Sequence, residues 1–229
     1  MVMSLSACDL KEYVSSQLAH FYPDHYPMNG NDIDHAFSLA LDRMEYCFSR
    51  VKIRGYNTDS TNREAYFSPL HSDQYSSFLY WLSNSLWNIS NNKPICDKLI
   101  LLNRALNGLW FTYKIELPDI FVFDHPVGSV LGHAKYNNYL VIKQNVTISD
   151  RRDPQSSIGI GLYCSAGSAI MEDGIIGNRV SLGVNALIYR EAIPDDCIVY
   201  RDRETGARVI KERPQTKRCR AQNFFWNDF

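Results

Sequence analysis

The chain lacks the features that would tie it to a membrane, to nucleic acid or to an oxidising compartment. No apolar run in its 229 residues approaches the roughly 18 needed for a membrane span. The first residues show no basic stretch followed by an apolar one, so no signal peptide and a cytoplasmic location are expected. Lys and Arg number 24 against 25 Asp and Glu, a net charge of −1. That balance removes the bulk electrostatic case for a nucleic-acid partner. Six cysteines are scattered at 8, 47, 96, 164, 197 and 219, never as C-x-x-C. Such spacing predicts reduced thiols and no zinc site.

What the chain does have is a period of six. Ile158, Cys164, Ile170, Ile176, Leu182 and Ile188 recur at every sixth position, with Gly159, Gly177 and Gly183 directly after three of them. Tyr136, Ile142 and Ile148 extend the spacing upstream, and Val146 and Val180 stand four residues after their hexad starts. Neither helix nor simple strand has this period; a parallel β-helix of hexapeptide repeats does. Three hexads make one coil of about 18 residues, with the sixth-residue side chains filling the prism. Corners of such a prism need left-handed backbone, which Asn178 and Asn185 suit. The step from Ile148 to Ile158 is ten residues, so a polar loop carrying Asp150, Arg151, Arg152 and Asp153 leaves the coil there. It is either a working face or a tolerated insertion.

The first half obeys a different period. Ile33, Ala36, Phe37, Ala40, Met44, Cys47, Phe48 and Val51 repeat at three and four, predicting an amphipathic helix. A second helix is expected from Ser72, as N-cap, to Ile89, a third from Cys96 to Leu109, and a weaker one near Leu10 to Leu18. The polar segment Arg54 to Arg63 reads as a loop. The expected organisation is α+β: an α-helical domain over 1–112, a left-handed parallel β-helix over 113–198, and a C-terminal hairpin and tail over 199–229. Thr205-Gly206 would turn the hairpin, and the tail is basic, then aromatic.

At the junction stand Asp124-His125, Gly128 and Leu131-Gly132, followed by Ile142, Gln144, Val146, Thr147 and Ile148. In these residues the chain resembles the serine acetyltransferase family of hexapeptide acyltransferases, with its Asp-His-x-x-Gly box and Gln-x-Val-Thr segment. The resemblance implies acetyl transfer from acetyl-CoA to a hydroxyl, no metal, and a homotrimer or dimer of trimers. A hydroxyl needs a base in the transition state, and histidine titrates near neutral pH, so His125 is the expected general base. The family's orienting Asp has no counterpart here. Glu116 is the nearest candidate, Asp119 the next, and Glu116 reads equally as a solvated residue at a strand start. Asp124 is expected to touch the acceptor rather than orient the ring, since strand neighbours point to opposite faces. Gly132, Gly167, Lys211 and Arg213 are the expected acetyl-CoA contacts that the resemblance suggests.

The acceptor end departs from the family. Where the family's loop reads Asp-Arg-His-Pro, this chain has Arg152-Asp153-Pro154, so Arg152 can clamp an anion while Asp153 replaces the His. Pro69 to Tyr75 and Glu116 to Ile120 are similar to serine-acetyltransferase-like proteins of surface-polysaccharide biosynthesis. His71 and Asp73 are therefore acceptor-binding candidates, or simply part of a helix start. The reading this supports is O-acetylation of a sugar hydroxyl in a surface polysaccharide or its precursor. The alternatives are a true serine O-acetyltransferase and, from another class, a non-catalytic trimeric scaffold. A zinc enzyme of the β-helix carbonic anhydrase type is not expected, because only His125 and His133 lie in the repeat region.

Overall fold

The computed structural model describes residues 1–24, 26–59, 61–148 and 156–229. Four helices come first: α1 (Ala7–Phe21), α2 (Asn31–Phe48), α3 (Ser72–Ser90) and α4 (Lys93–Asn107). The three-and-four spacing seen in the sequence becomes the buried stripe of α2, from Ile33 to Phe48. Helix α3 is buried over most of its circumference, because α2 and α4 flank it and the β-helix lies beneath. Ser72 is its first helical residue rather than its cap. The cap position belongs to His71, whose side chain makes no capping bond.

The repeats form a parallel β-helix of about four coils with three faces. One face stacks Val130–Leu131, Thr147–Ile148, Ala169–Met171 and Leu187–Tyr189. The second stacks Ala134–Lys135, Ser156–Ile158, Ile175–Ile176 and Ala192–Ile193. The third stacks Phe121–Phe123, Leu140–Ile142, Tyr163–Cys164, Ser181–Leu182 and Cys197–Arg201. Hexad side chains lie directly over one another: Ile158 on Ile176, Ile176 on Ile193, Cys164 on Leu182, Ile170 on Ile188. All are buried, which is why the period was visible in the sequence. The chain then turns through 202–207 and returns antiparallel as Arg208–Glu212, the expected hairpin.

The hexad glycines serve closeness, not backbone hand. Gly159 and Gly177 have no positive φ. A Cβ on Gly159 would stand 2.4 Å from the Gly177 carbonyl oxygen, and one on Gly177 2.5 Å from Asp195 N. Left-handed backbone falls instead at His125, Asn145, Gly167 and Asn185 on one corner, and at Tyr139, Gly161, Arg179 and Asp196 on another. Asn185 therefore does what was expected of it, whereas at the other corner Arg179, not Asn178, takes the strained position.

The two halves share one core. Strand Phe121–Phe123 is fully buried because its outer side lies under α3. Trp81 packs on Phe121 with ring centroids 5.0 Å apart. Tyr80 donates its hydroxyl to Ile115 O and accepts from Leu117 N, fixing the junction segment. The C-terminal segment comes back to the helices: Lys52 N donates to Phe224 O and Trp226 N to Arg50 O. All six cysteines are free, and five are buried.

Candidate active site

The first coil turns its corner at Asp124 to Ser129, between Phe121–Phe123 and Val130–Leu131. His125 sits there with φ 55°. A left-handed non-glycine residue is costly unless its surroundings hold it. Here the hold comes from Asp73, in the first turn of α3. Its Oδ2 accepts the backbone N–H of His125 at 3.1 Å and lies 3.3 Å from ring Nδ1. The Asp73 side chain is only 6% exposed, against 77% for His125, so a buried carboxylate grips an open imidazole. The N-terminus of a helix favours a carboxylate.

The other ring nitrogen faces outward past Asp124, whose Oδ1 lies 3.6 Å from Nε2. Asp124 and His125 thus end on the same side. The opposite-faces argument applies within a strand, and both residues lie beyond the strand end, on the turn. Asp124 Oδ2 is in turn bound by the ammonium of Lys143. Asp73, Asp124 and His125 bring three potential ligand atoms within 4.8 Å of one another. Lys143 already occupies one of the two carboxylates, which opposes a cation there.

Around this group stand His71 and Tyr56, their rings 5.6 Å apart. His71 Nδ1 is buried without a hydrogen-bond partner among the described residues. Burial raises the Tyr56 hydroxyl well above its ordinary range, and the charges of Asp73 and Asp124 add to the effect. Tyr56 is therefore a neutral wall of the site.

The sequence candidates divide. His125, Asp124 and Asp73 come together, and His71 packs on the Tyr56 ring. Glu116 and Asp119 do not join them: Glu116 Oε1 accepts from Asn84 and Asn88, and Asp119 shares a groove with Asp42, Arg43 and Tyr46. Arg152 and Asp153 lie outside the described residues. Gly167 lies on the His125 corner, joined to it through a backbone ladder. Asn145 N donates to Val127 O, Gly167 N to Gln144 O, and Asn185 N to Ala166 O. Gly132 follows Leu131, and its carbonyl accepts the Tyr136 hydroxyl. Lys211 is exposed on the returning hairpin strand. Arg213 is buried on a different corner, bound to Asp196 together with Arg179. Tyr56, Lys143 and Arg201 belong to no motif or period that the sequence displays. Arg201 ends the His125 corner with its Nε on Asn185 O at 3.1 Å.

No family model matches the chain, and no curated protein does either. Solved structures do. The serine acetyltransferase of Brucella abortus strain S19 superposes with a TM-score of 0.63 at 14% identity, over 92% of this chain and 85% of that one. That of Neisseria gonorrhoeae gives 0.60 at 17%, over 80% and 72%. A serine acetyltransferase solved with CoA gives 0.59 at 17%, over 89% and 95%. At these identities the likeness is one of fold: the chain shares a helical half followed by a β-helix with solved serine acetyltransferases.

Proposed function

We propose that the chain is an acetyl-CoA-dependent acetyltransferase with His125 as general base. The observation that carries this reading is the double grip of Asp73 on His125. Bound at Nδ1 by a carboxylate, an imidazole keeps its proton on that nitrogen and offers Nε2 as acceptor. Nε2 takes the acceptor hydroxyl's proton as the oxygen attacks the thioester carbonyl. When the tetrahedral intermediate collapses, the same nitrogen returns the proton to the leaving sulfur. Asp73 opposes the positive charge that the ring carries in between. The described structure offers the corner below His125 for the CoA arm. Val127 and Val184 are exposed along it, and Arg201 stands at its foot for a phosphate. A neighbouring structure is a complex with CoA, which supports acetyl-CoA as the cosubstrate.

The acceptor in this reading is a sugar hydroxyl of a surface polysaccharide or its precursor. The sequence of the 149–155 loop, with Asp153 in place of a His, is its basis. A second reading, serine O-acetylation, is favoured by the serine-bound Neisseria gonorrhoeae neighbour. Free-thiol release from acetyl-CoA, with L-serine against a panel of glycans and sugar nucleotides, decides between them. Turnover with serine alone establishes the second reading, and no turnover with any acceptor removes both. The assembly proposed is a trimer packed through the face of Val130, Leu187 and Tyr189, whose side chains are exposed. Light scattering showing a monomer at micromolar concentration contradicts that assembly.

A further inference from the structure

Lys143 places a positive charge where the acceptor must bind. It follows strand Leu140–Ile142, which pairs with Phe121–Phe123 so that Ile142 lies beside Phe123. Asp124 N donates to Ile142 O at 2.9 Å, which sets Lys143 directly below Asp124 on the next coil. The Lys143 ammonium binds Asp124 Oδ2, and the other oxygen of that carboxylate is the one facing His125 Nε2. Both side chains are largely covered, 24% and 15% exposed, so solvent screens the pair incompletely.

Resting on the function proposed above, we infer that Lys143 is a specificity-determining residue that excludes acceptors with an ammonium group beside the reacting hydroxyl. Without Lys143, Asp124 would present an uncompensated carboxylate within 3.6 Å of the nitrogen that receives the hydroxyl proton. An amino alcohol would then find a counter-ion for its ammonium next to the base. With Lys143 in place the carboxylate is neutralised, and a second cation meets repulsion from the first. The acceptor class selected is a neutral polyol, or a hydroxyl with an anionic group nearby. Among the described residues, the charged and titratable groups at His125 are Asp73 and Asp124, with Lys143 on Asp124 and the Tyr56 hydroxyl near both carboxylates, its ring against His71.

The test compares two acceptors that differ only in this charge, glycerol and 2-amino-1,3-propanediol, in wild type and Lys143→Met. Methionine retains the apolar stem, and Lys143→Gln serves if that variant folds poorly. In the variant the ratio of kcat/KM for the amine over glycerol rises about tenfold, the effect of one unit charge a few ångströms away. An unchanged ratio overturns the inference. A second readout needs no acceptor. The NMR titration midpoint of His125 rises by about one unit in Lys143→Met, because Asp124 is then uncompensated beside Nε2, and falls back in Lys143→Met/Asp124→Asn. If wild type turns over neither acceptor, the result counts against the proposed function. The midpoint then decides the charge inference alone, and an unmoved midpoint overturns it.

Discussion

Asp73 Oδ2 meets His125 at two atoms, the backbone N–H and ring Nδ1, from an α-helix 52 positions earlier in the chain. One carboxylate thereby holds both the left-handed backbone of His125 and the direction of its ring. His125→Ala is expected to lower turnover by about 10²–10⁴-fold, the usual loss for a general base. Asp73→Asn keeps an acceptor for the backbone N–H but removes the charge opposite the imidazolium. Its turnover falls less, by at least about tenfold, with acetyl-CoA affinity little changed. Glu116→Gln and Asp119→Asn stay within about twofold. Thiol-release kinetics of the four variants check the order; a loss in Glu116→Gln equal to that in Asp73→Asn would move the orienting role back to Glu116.

That contact marks the limit of what the sequence shows. The period of six from Ile158 to Ile188 is legible because each hexad side chain meets its equivalent in the next coil, so the constraint repeats locally. The helical stripes are legible for the same reason. Asp73 and His125 meet once, through packing of α3 on the first coil, and no periodicity records a single long-range contact. The sequence therefore offered Glu116, near His125 in the chain, where the fold supplies a carboxylate from a distant helix. Glycine after a hexad residue tolerates left-handed backbone, but Gly159 and Gly177 do not use that freedom. Their actual constraint, the neighbouring coil's backbone at Gly159 and Gly177, is again a contact between coils.

The stacking order makes a stability prediction. Ile176 is buried between Ile158 and Ile193. Ile176→Ala is expected to cost about 2–5 kcal/mol, a cavity in a stack that cannot collapse along its own axis. Gly177→Ala should be comparably harmful although it adds only a methyl group, because that group meets backbone of the next coil. Denaturant unfolding of both variants checks this. A Gly177→Ala midpoint equal to wild type would mean that the coils separate more easily than the structure shows.

Thiol chemistry offers a third check. Burial pushes the thiols of Cys47, Cys96 and Cys164 up to about 12, so almost none of each is thiolate at pH 8. Cys8 alone among the six is exposed. Native protein at pH 8 should release one equivalent of a colorimetric thiol reagent quickly, and Cys8→Ser should abolish that phase. The remaining five should react only with denaturant. A second fast equivalent would show that a core position of the β-helix is open in solution.

The corner that carries Asp196 predicts an acid response. The Asp196 carboxyl is held below its ordinary range, first by its hydrogen bonds from Arg179 and then by the charges of Arg179 and Arg213, against an opposing cost of burial. A depressed folded-state value means that the pair stabilises the fold above the unfolded value of about 3.9. The contribution is lost as pH falls below that point through the lower folded value. The pair is partly exposed, so its worth is modest, on the order of 1 kcal/mol or less. Asp196→Asn should therefore lower the melting temperature at pH 7 and flatten the decline below about pH 4. Because Arg213 is buried and loses its counter-charge in that variant, Arg213→Met/Asp196→Asn should recover part of the loss. Thermal unfolding from pH 3 to 7 tests the sign. If wild type and Asp196→Asn lose stability in parallel through the acid range, Asp196 titrates in the folded protein as it does in the unfolded chain.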